Sequence, residues 1–351
     1  VRKGGIKMKR YLKKIILLVS VLSMVLSVSG CGKKSAEDEE QRYAWPLATC
    51  STEDTITHVF ASNFADQVGK LSDGKMKIQV YPQSTLGGDR ELMESCKDGD
   101  IPFVVQSPAP QVSFMPELCI FDSPCMFDDI EDARAAVNGE EFQQSIKGIY
   151  QGAGYELLGF ADQGFRVMTT NIGYTGDMSF FKGQKIRTME NTYHIQFWKA
   201  VKANPTPMTF SEVYIGLQQG TIDAQENAYT LIESAKLYEQ QKYIVETNAV
   251  PDYITLIASD EFMKERTPEE QKIIRKAAEI AQQMACDAAD EGREKCKKML
   301  EDDGMKIQTL NEKTWKDMQK ASEPVYENIK KKTGDRLFEL YSEGAKNGET
   351  K

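Results

Sequence analysis

The chain has 351 residues and carries 44 lysines and arginines against 53 aspartates and glutamates, a formal net charge of −9 at pH 7. Because an acidic surface repels polyanions, nucleic acid and anionic lipid are disfavoured as partners. The length exceeds what one hydrophobic core usually fills, so two lobes are expected.

Residues 1 to 30 have the pattern of a secretory signal peptide. They contain seven lysines and arginines and no acid, with an apolar run from Ile15 to Val28. The alternative to a signal peptide is a membrane-spanning helix, but this run is shorter than the ~18 to 20 residues that such a helix needs. Val28-Ser29-Gly30-Cys31 resembles a bacterial lipobox, so we expect cleavage before Cys31 and lipid attachment to its thiol.

Residues 31 to 44 are expected to form the lipid anchor and a flexible tether. The run from Gly32 to Gln41 is polar and charged and has no large apolar side chain, a composition that does not form a packed core. Without the seven leader cations, 37 lysines and arginines face 53 acids, a net charge near −16. An anionic solute would therefore have to be attracted by a local cationic pocket.

Strand and helix signals alternate from residue 45 onward, which indicates an α/β fold. Met76–Tyr81 alternates apolar and polar residues with the period of a strand, and Ile101–Gln106 is a second short strand. Between them, Asp89 is predicted to cap a helix that ends at Gly99.

Two helices are predicted in the second half of the chain. Ser211 is placed to cap a short helix, and Phe210 and Ile215 then occupy the positions of a hydrophobic staple. Thr267-Pro-Glu-Glu270 has the pattern of a capping box and opens a helix that can run to Asp303. At ~1.5 Å per residue this helix is about 50 Å long, which is longer than one small lobe.

The strongest functional signal lies in three segments, Lys185–Glu190, Pro205–Tyr214 and Leu217–Asn227. Together they resemble the solute-binding subunit of tripartite ATP-independent periplasmic (TRAP) transporters, the DctP family. The resemblance extends over residues 45 to 340 and includes the patterns at Tyr81–Leu92 and Phe165–Asn171. Ala228 departs from the proline that usually follows Gln-Glu-Asn in that family.

The resemblance implies a two-lobed α/β periplasmic-binding-protein fold with a hinge and with the long helix spanning both lobes. By family analogy, the first lobe holds residues 45–164 plus 253–292, and the second lobe holds residues 165–252 plus 293–351. The implied function is that of an extracytoplasmic receptor, which closes over a small organic acid and delivers it to the membrane subunits of a TRAP permease for uptake driven by an ion gradient. We expect a monomer, tethered to the membrane by its lipid anchor, with no cofactor and no metal.

The resemblance also places a set of residues in the cleft between the lobes. Arg187 is the candidate for the ligand carboxylate, because a planar, forked guanidinium can donate two parallel hydrogen bonds to its oxygens. Arg166 is a second candidate for the carboxylate or a neighbouring hydroxyl, with a surface or interlobe salt bridge as the alternative. Asn227 can donate and accept together, and Phe210 would form a wall of the pocket.

Further ligand contacts are expected around this set. Glu190 follows the Arg187 strand and would pair with hydroxyls or an amine of the ligand, or hold Arg187 in place. On the first lobe, Ser107 and the loop from Ser51 to Asp54 lie where other family members contact the far end of the ligand. Asp89 is the remaining first-lobe candidate.

Other classes of protein find less support in the sequence. An enzyme is not expected, because the chain has only two histidines and no Gly-x-Ser-x-Gly, His-Glu-x-x-His or Walker motif. The rivals are a surface carbohydrate-binding or adhesion module and a binding protein of an ATP-driven importer. The cysteines after Cys31 are expected to be free thiols, with a Cys119 to Cys125 bridge as the alternative. The identity of the acid stays open: sugar acids, hydroxy acids, dicarboxylates and keto acids all carry the carboxylate.

Overall fold

The structure, a computed structural model, describes residues 43–346 of the chain. The predicted signal peptide, Cys31 and residues 31–42 of the predicted tether lie outside this part. Within it, strands and helices alternate and build two β-sheets, which is the α/β architecture that we expected. No helix among residues 43–346 is long and apolar enough to cross a membrane.

The first sheet has five strands: β1 (Trp45–Ala48), β2 (Ile78–Tyr81), β3 (Phe103–Gln106), β4 (Tyr155–Phe165) and β10 (Pro251–Ser259). Their order across the sheet is β2-β1-β3-β10-β4. β1 is parallel to β2 and β3, whereas β10 is antiparallel to both β3 and β4. β4 is therefore an edge strand, and within the described sheet it pairs on one side.

The second sheet has six strands: β5 (Val167–Thr170), β6 (Lys185–Thr188), β7 (Asn204–Pro207), β8 (Ala224–Asn227), β9 (Tyr243–Glu246) and β11 (Lys306–Thr309). Their order is β11-β9-β5-β8-β6-β7. One residue, Arg166, separates β4 of the first sheet from β5 of the second. The chain thus crosses between the sheets at Arg166 and returns between β9 and β10.

Eleven α-helices lie in the described part of the chain. They are α1 (Ile56–Leu71), α2 (Asp89–Lys97), α3 (Ile130–Asn138), α4 (Glu140–Ala153), α5 (Thr192–Ala200), α6 (Val213–Gln219), α7 (Tyr229–Ser234), α8 (Asp260–Lys264), α9 (Pro268–Asp302), α10 (Glu312–Thr333) and α11 (Asp335–Lys346). The apolar faces of α1 and the first half of α9 cover one face of the first sheet. α3 and α4 cover its other face.

The long helix α9 begins as predicted. Thr267 is its N-cap and forms a capping box with Glu270. Its first half packs on α1 and β4, and its last turns bury Cys296 and Leu300 against Val167 of the second sheet. The prediction that this helix spans both lobes is confirmed.

The predicted cap at Asp89 is wrong by one position. Gly88 is the N-cap of α2 and makes no side-chain hydrogen bond, so Asp89 is the first helical residue. From there its carboxyl lies close to Cys50 and Gln106. Asp89 therefore forms contacts across the first lobe and does not cap its own helix.

The predicted cap at Ser211 is also wrong. Thr209 forms a capping box with Glu212 and opens a single 3-10 turn, which leads into α6. Because the cap lies two residues before the predicted position, Ile215 points outward and is 47% exposed. The predicted staple between Phe210 and Ile215 does not form.

The last helix differs from the expected division into lobes. Residues 293–351 were assigned to the second lobe, but α11 packs on α3 and α4 of the first. Its buried Tyr341 lies against the rings of Phe127 and Phe142, and its hydroxyl donates to that of Tyr253 at 3.2 Å. An aromatic cluster on the first lobe thus holds α11.

All six cysteines between residues 43 and 346 are free thiols, and five of them are buried. The alternative of a bridge between Cys119 and Cys125 is therefore not realised. Burial raises the pKa of both thiols, which keeps them protonated and unreactive. The prediction of free, buried thiols is confirmed for this part of the chain.

Candidate functional site

A cavity of about 50 Å³ lies where the two sheets meet, and residues of both lobes line it. Six of the predicted site residues belong to this lining: Ser107, Asp89, Arg166, Arg187, Phe210 and Asn227. Ser51, from the predicted loop of residues 51–54, also lines it. The lining residues that were not predicted as ligand contacts are Cys50, Thr57, Gln106, Gln163, Met189, Leu231, Asp252 and Ile254. The cavity thus joins eight separate segments of the chain.

Glu190 and Asp54 lie apart from this lining. Glu190 is exposed beyond the end of β6, although its charge acts on both Arg187 and Asp89. Asp54 is exposed in a loop and has a left-handed backbone with φ 65°. The same loop contributes Ser51 to the lining, and the hydroxyl of Thr52 bonds that of Ser234 on the second lobe.

Arg187 is a buried charged residue of this cavity that has no salt-bridge partner among residues 43–346. It lies on β6 and is 2% exposed. Its Nε and Nη2 donate to the carbonyl of Met208 at 3.1 and 2.8 Å, and its guanidinium lies 6.0 Å from the centre of the Phe210 ring. Within the described part of the chain it forms no salt bridge, and its Nη1 makes no hydrogen bond. Burial and the nearby charge of Arg166 lower the pKa of Arg187 to about 10.

Arg166 has the opposite environment. Its Nε donates to Glu226 Oε2 at 2.5 Å, its Nη1 to Asp252 Oδ1 at 2.9 Å, and its Nη2 to Asn227 Oδ1 at 2.9 Å. Although burial opposes the charged form, the carboxylates of Asp252 and Glu226 raise the pKa of Arg166. Asp252 was assigned to the second lobe, but it lies on β10 of the first sheet. The structure therefore contains the interlobe salt bridge that was one alternative role for Arg166.

Asn227 is positioned by Arg166 and by its own strand. Its Oδ1 accepts from Arg166, and its Nδ2 donates to Gln225 Oε1 at 2.5 Å. Residues two apart on a strand share one face, so Gln225 and Asn227 point the same way from β8. The amide of Asn227 is held rigidly at the cavity wall, which favours precise hydrogen bonding to a bound molecule.

A buried polar network lies behind the cavity. The ring of His194 is 3.0 Å from Asp122 and 3.8 Å from Glu226. Asn191 caps α5 and also donates from Nδ2 to Asp122 and to the carbonyl of Ala109, both at 2.7 Å. These bonds tie α5 of the second lobe to the first lobe. Only the tertiary fold brings their partners together, so the sequence could not assign them.

The first-lobe wall is polar. Burial raises the pKa of Asp89, although a hydrogen bond from Cys50 and the charge of Arg187 act in the opposite direction. When the Gln106 amide is oriented so that its oxygen and its nitrogen both have partners, its nitrogen donates to Asp89 Oδ1 at 3.2 Å. Ser51, Thr57 and the Asp89 and Gln106 pair therefore present hydroxyl, carboxyl and amide groups opposite Arg187.

Comparisons with known proteins identify the family of the chain. Residues 47–333 match the profile of the DctP family, described as bacterial extracellular solute-binding protein, family 7. The C4-dicarboxylate-binding protein DctB of Bacillus subtilis is 26% identical over 344 residues, which cover 94% of this chain and 97% of that protein.

Two solved structures have the same fold. The sugar acid binding protein DctPAm of Advenella mimigardefordensis, in complex with galactonate, superposes with a TM-score of 0.84 at 28% identity, over 88% of this chain and 99% of that one. A TRAP periplasmic solute binding protein of Polaromonas, bound to D-erythronate, gives 0.80 at 31% identity, over 85% and 98% of the chains.

Proposed function

The chain belongs to family 7 of the bacterial extracellular solute-binding proteins, and on that premise we propose that its interlobe cavity captures a small organic acid for a TRAP permease. The observation that carries this proposal is the unpaired charge of Arg187. A buried cation is costly unless it is paired. A ligand carboxylate supplies the salt-bridge partner that Arg187 lacks among residues 43–346, and it accepts from the free Nη1 of the guanidinium.

The salt-bridged charges around Arg187 sharpen the assignment. Arg166, Glu226, Asp252, Asp122 and His194 compensate one another within the protein. These groups hold the lobes and orient Asn227, whereas Arg187 keeps its charge for the ligand. The candidate roles are thus divided: Arg187 binds the carboxylate, and Arg166 positions its neighbours.

The opposite wall favours a hydroxylated acid. Ser51, Thr57, Ser107 and Gln106 offer donors and acceptors at a distance from Arg187, which suits hydroxyl groups further along a carbon chain. The Advenella and Polaromonas proteins bind galactonate and D-erythronate, both hydroxylated monocarboxylic acids. We assign the same chemical class to this cavity.

Binding without chemistry completes the proposal. His194, which lies behind the cavity, is held between two carboxylates, and the cavity-facing acids Asp89 and Asp252 are engaged by Cys50 and Arg166. Such engaged groups suit a receptor that returns its solute unaltered. Extracytoplasmic location follows from the family, and the lipid anchor on Cys31 and the monomeric state are part of the proposal.

A thermal-shift screen against organic acids tests this function. A ligand at about 100 times its Kd stabilises the folded protein by ~2.7 kcal/mol. We expect sugar acids, with galactonate and D-erythronate tested first, to raise the Tm, and the recovered ligand to be chemically unchanged. A library without a single stabilising carboxylate, or a ligand converted in proportion to protein, would contradict the proposal.

A further inference from the structure

A second, larger cavity lies on the first lobe, outside the cleft. Its volume is about 550 Å³, and it is lined by α4, β4 and α9. We call it the edge groove and define it by Phe142, Gln143, Ile146, residues 156–160 of β4, Arg275 and Gln282. None of these residues lines the cavity that contains Arg187.

The edge groove follows the backbone of β4. Side chains alternate between the two faces of a strand, so a cavity on one face is lined by every second residue. Here five consecutive residues, Glu156 to Phe160, line the cavity. The groove therefore lies along the unpaired edge of β4, where main-chain N–H and C=O groups face outward.

A side chain already occupies one of these main-chain positions. Gln282 of α9 accepts from the N–H of Phe160 through its Oε1 at 2.8 Å. This contact satisfies a donor that a neighbouring strand would otherwise bond. The outer edge of β4 is thus capable of strand pairing at Phe160, with a movable side chain in the partner's place.

The two walls of the groove differ in polarity. Phe142 and Ile146 on α4, with Phe160 of β4, belong to the apolar core. On the opposite wall, Arg275 pairs with Glu156 at 2.6 Å. Lys147 is exposed at the lip on the α4 side and has no salt bridge within residues 43–346. An occupant must therefore be apolar toward α4 and polar toward α9, with an acidic group near Lys147.

The shape of the groove disfavours a second copy of this chain as a strand partner. Paired strands lie about 4.7 to 4.9 Å apart. α4 and α9 flank β4 on its two sides, so these helices hinder the approach of a second β4 edge to that distance. Only a slender segment can enter.

The geometry points to the edge groove as a docking site for an extended segment of another polypeptide, which adds to β4 as a sixth strand of the first sheet. Its side chains alternate: apolar residues contact Phe142 and Ile146, polar residues face α9, and an acidic residue pairs with Lys147. Main-chain hydrogen bonds supply affinity, and the alternating pockets supply specificity. The site is separate from the cleft, so a loaded receptor can bind the segment.

A displayed library of random decapeptides, selected against the full chain, tests this inference. We expect selected peptides to alternate apolar and polar residues, to contain an acidic residue, and to lose binding when their backbone nitrogens are methylated. Gln143→Trp fills the groove and should weaken binding by at least about tenfold. Gln144→Trp, which changes the adjacent exposed residue outside the groove, is the matched control and should leave binding unchanged.

A second pair of variants probes the strand edge. Gln282→Ala frees the N–H of Phe160 and should strengthen peptide binding, whereas Gln283→Ala, on the exposed side of α9, should not. Three results would overturn the inference. The first is that the selected peptides bind Gln143→Trp as tightly as the parent protein. The second is self-association of the protein in sedimentation that Gln143→Trp abolishes. The third is that the apolar anion 8-anilinonaphthalene-1-sulfonate binds in the groove while the library yields no strand-like peptide.

Discussion

The imidazole of His194 and the carboxylate of Asp122 lie 3.0 Å apart, both buried, and join α5 of the second lobe to the first lobe. Glu226 lies 3.8 Å from the other ring nitrogen, and Arg166 bonds Glu226 in turn. Although burial opposes the charged form, hydrogen bonds to Asp122 and Glu226 raise the pKa of His194 to about 9. Charge on this ring therefore helps to hold the lobes together.

The first prediction concerns stability against pH. The folded pKa of about 9 lies above the ordinary 6.5, so the stabilisation is complete below pH 6.5 and is lost as the pH rises through 9. We expect the free energy of unfolding to fall over this window by about 2 to 3 kcal/mol more in the wild type than in His194→Gln. Denaturant titrations measure this, with His58→Gln as the matched control. If the free energy of unfolding changed equally with pH in the wild type and in His194→Gln, the His194 and Asp122 pair would not stabilise the fold.

The second prediction concerns the carboxylate contact. Arg187→Lys keeps the charge but loses the fork, so the affinity for the acid found in the screen should weaken by about 1.5 to 3 kcal/mol. Calorimetry measures the change. Lys185→Arg, an equally conservative exchange on the same strand at a 44% exposed side chain, should keep the wild-type affinity. Unchanged binding by Arg187→Lys would remove Arg187 from the site.

The third prediction concerns Asp89. Burial raises its pKa, and a bound anion nearby would raise it further, so binding should be accompanied by proton uptake. The affinity for an acid should therefore increase as the pH falls through the raised pKa, until the ligand itself is protonated. Asp89→Asn should abolish this dependence, and Glu94→Gln on the exposed side of α2 should preserve it. Calorimetry in buffers of different ionisation enthalpy detects the proton directly.

The fourth prediction concerns the anchor, which lies outside the described residues. Cys31→Ser removes the thiol that would carry the lipid, so the protein should leave the membrane fraction or remain unprocessed. Cys286→Ser, which changes a thiol in the folded body, should stay with the membrane. Tight membrane association of a fully processed Cys31→Ser protein would assign the attachment to another segment.

Sequence and structure agree most closely where the signal is local. The capping box at Thr267 and the strand that carries Arg187 are defined by neighbouring residues, and both were predicted. The helix caps were predicted at Asp89 and Ser211, one and two residues after the observed caps Gly88 and Thr209, because adjacent residues can serve equally well as caps.

The buried partners of the site residues could not be predicted, because they depend on contacts between distant segments of the chain. Asp252, 86 residues from Arg166 in sequence, meets it only because β10 returns to the first sheet beside β4. The same holds for Asp122 and His194, and for Tyr341 in its aromatic cluster on the first lobe. No local pattern encodes such pairs, so the sequence predicted Arg166 as a ligand contact but could not reveal that three protein groups already engage it.

The central claim is that Arg187, which forms no salt bridge within residues 43–346, binds a ligand carboxylate as its salt-bridge partner. Calorimetric titration of the screened acid, compared with its uncharged primary amide, tests this most directly, because the two ligands have nearly the same shape and differ in charge. The account predicts that the acid binds about 10- to 100-fold more tightly than the amide, and that Arg187→Lys narrows this ratio. An amide that binds the wild-type protein as tightly as the acid would contradict the claim.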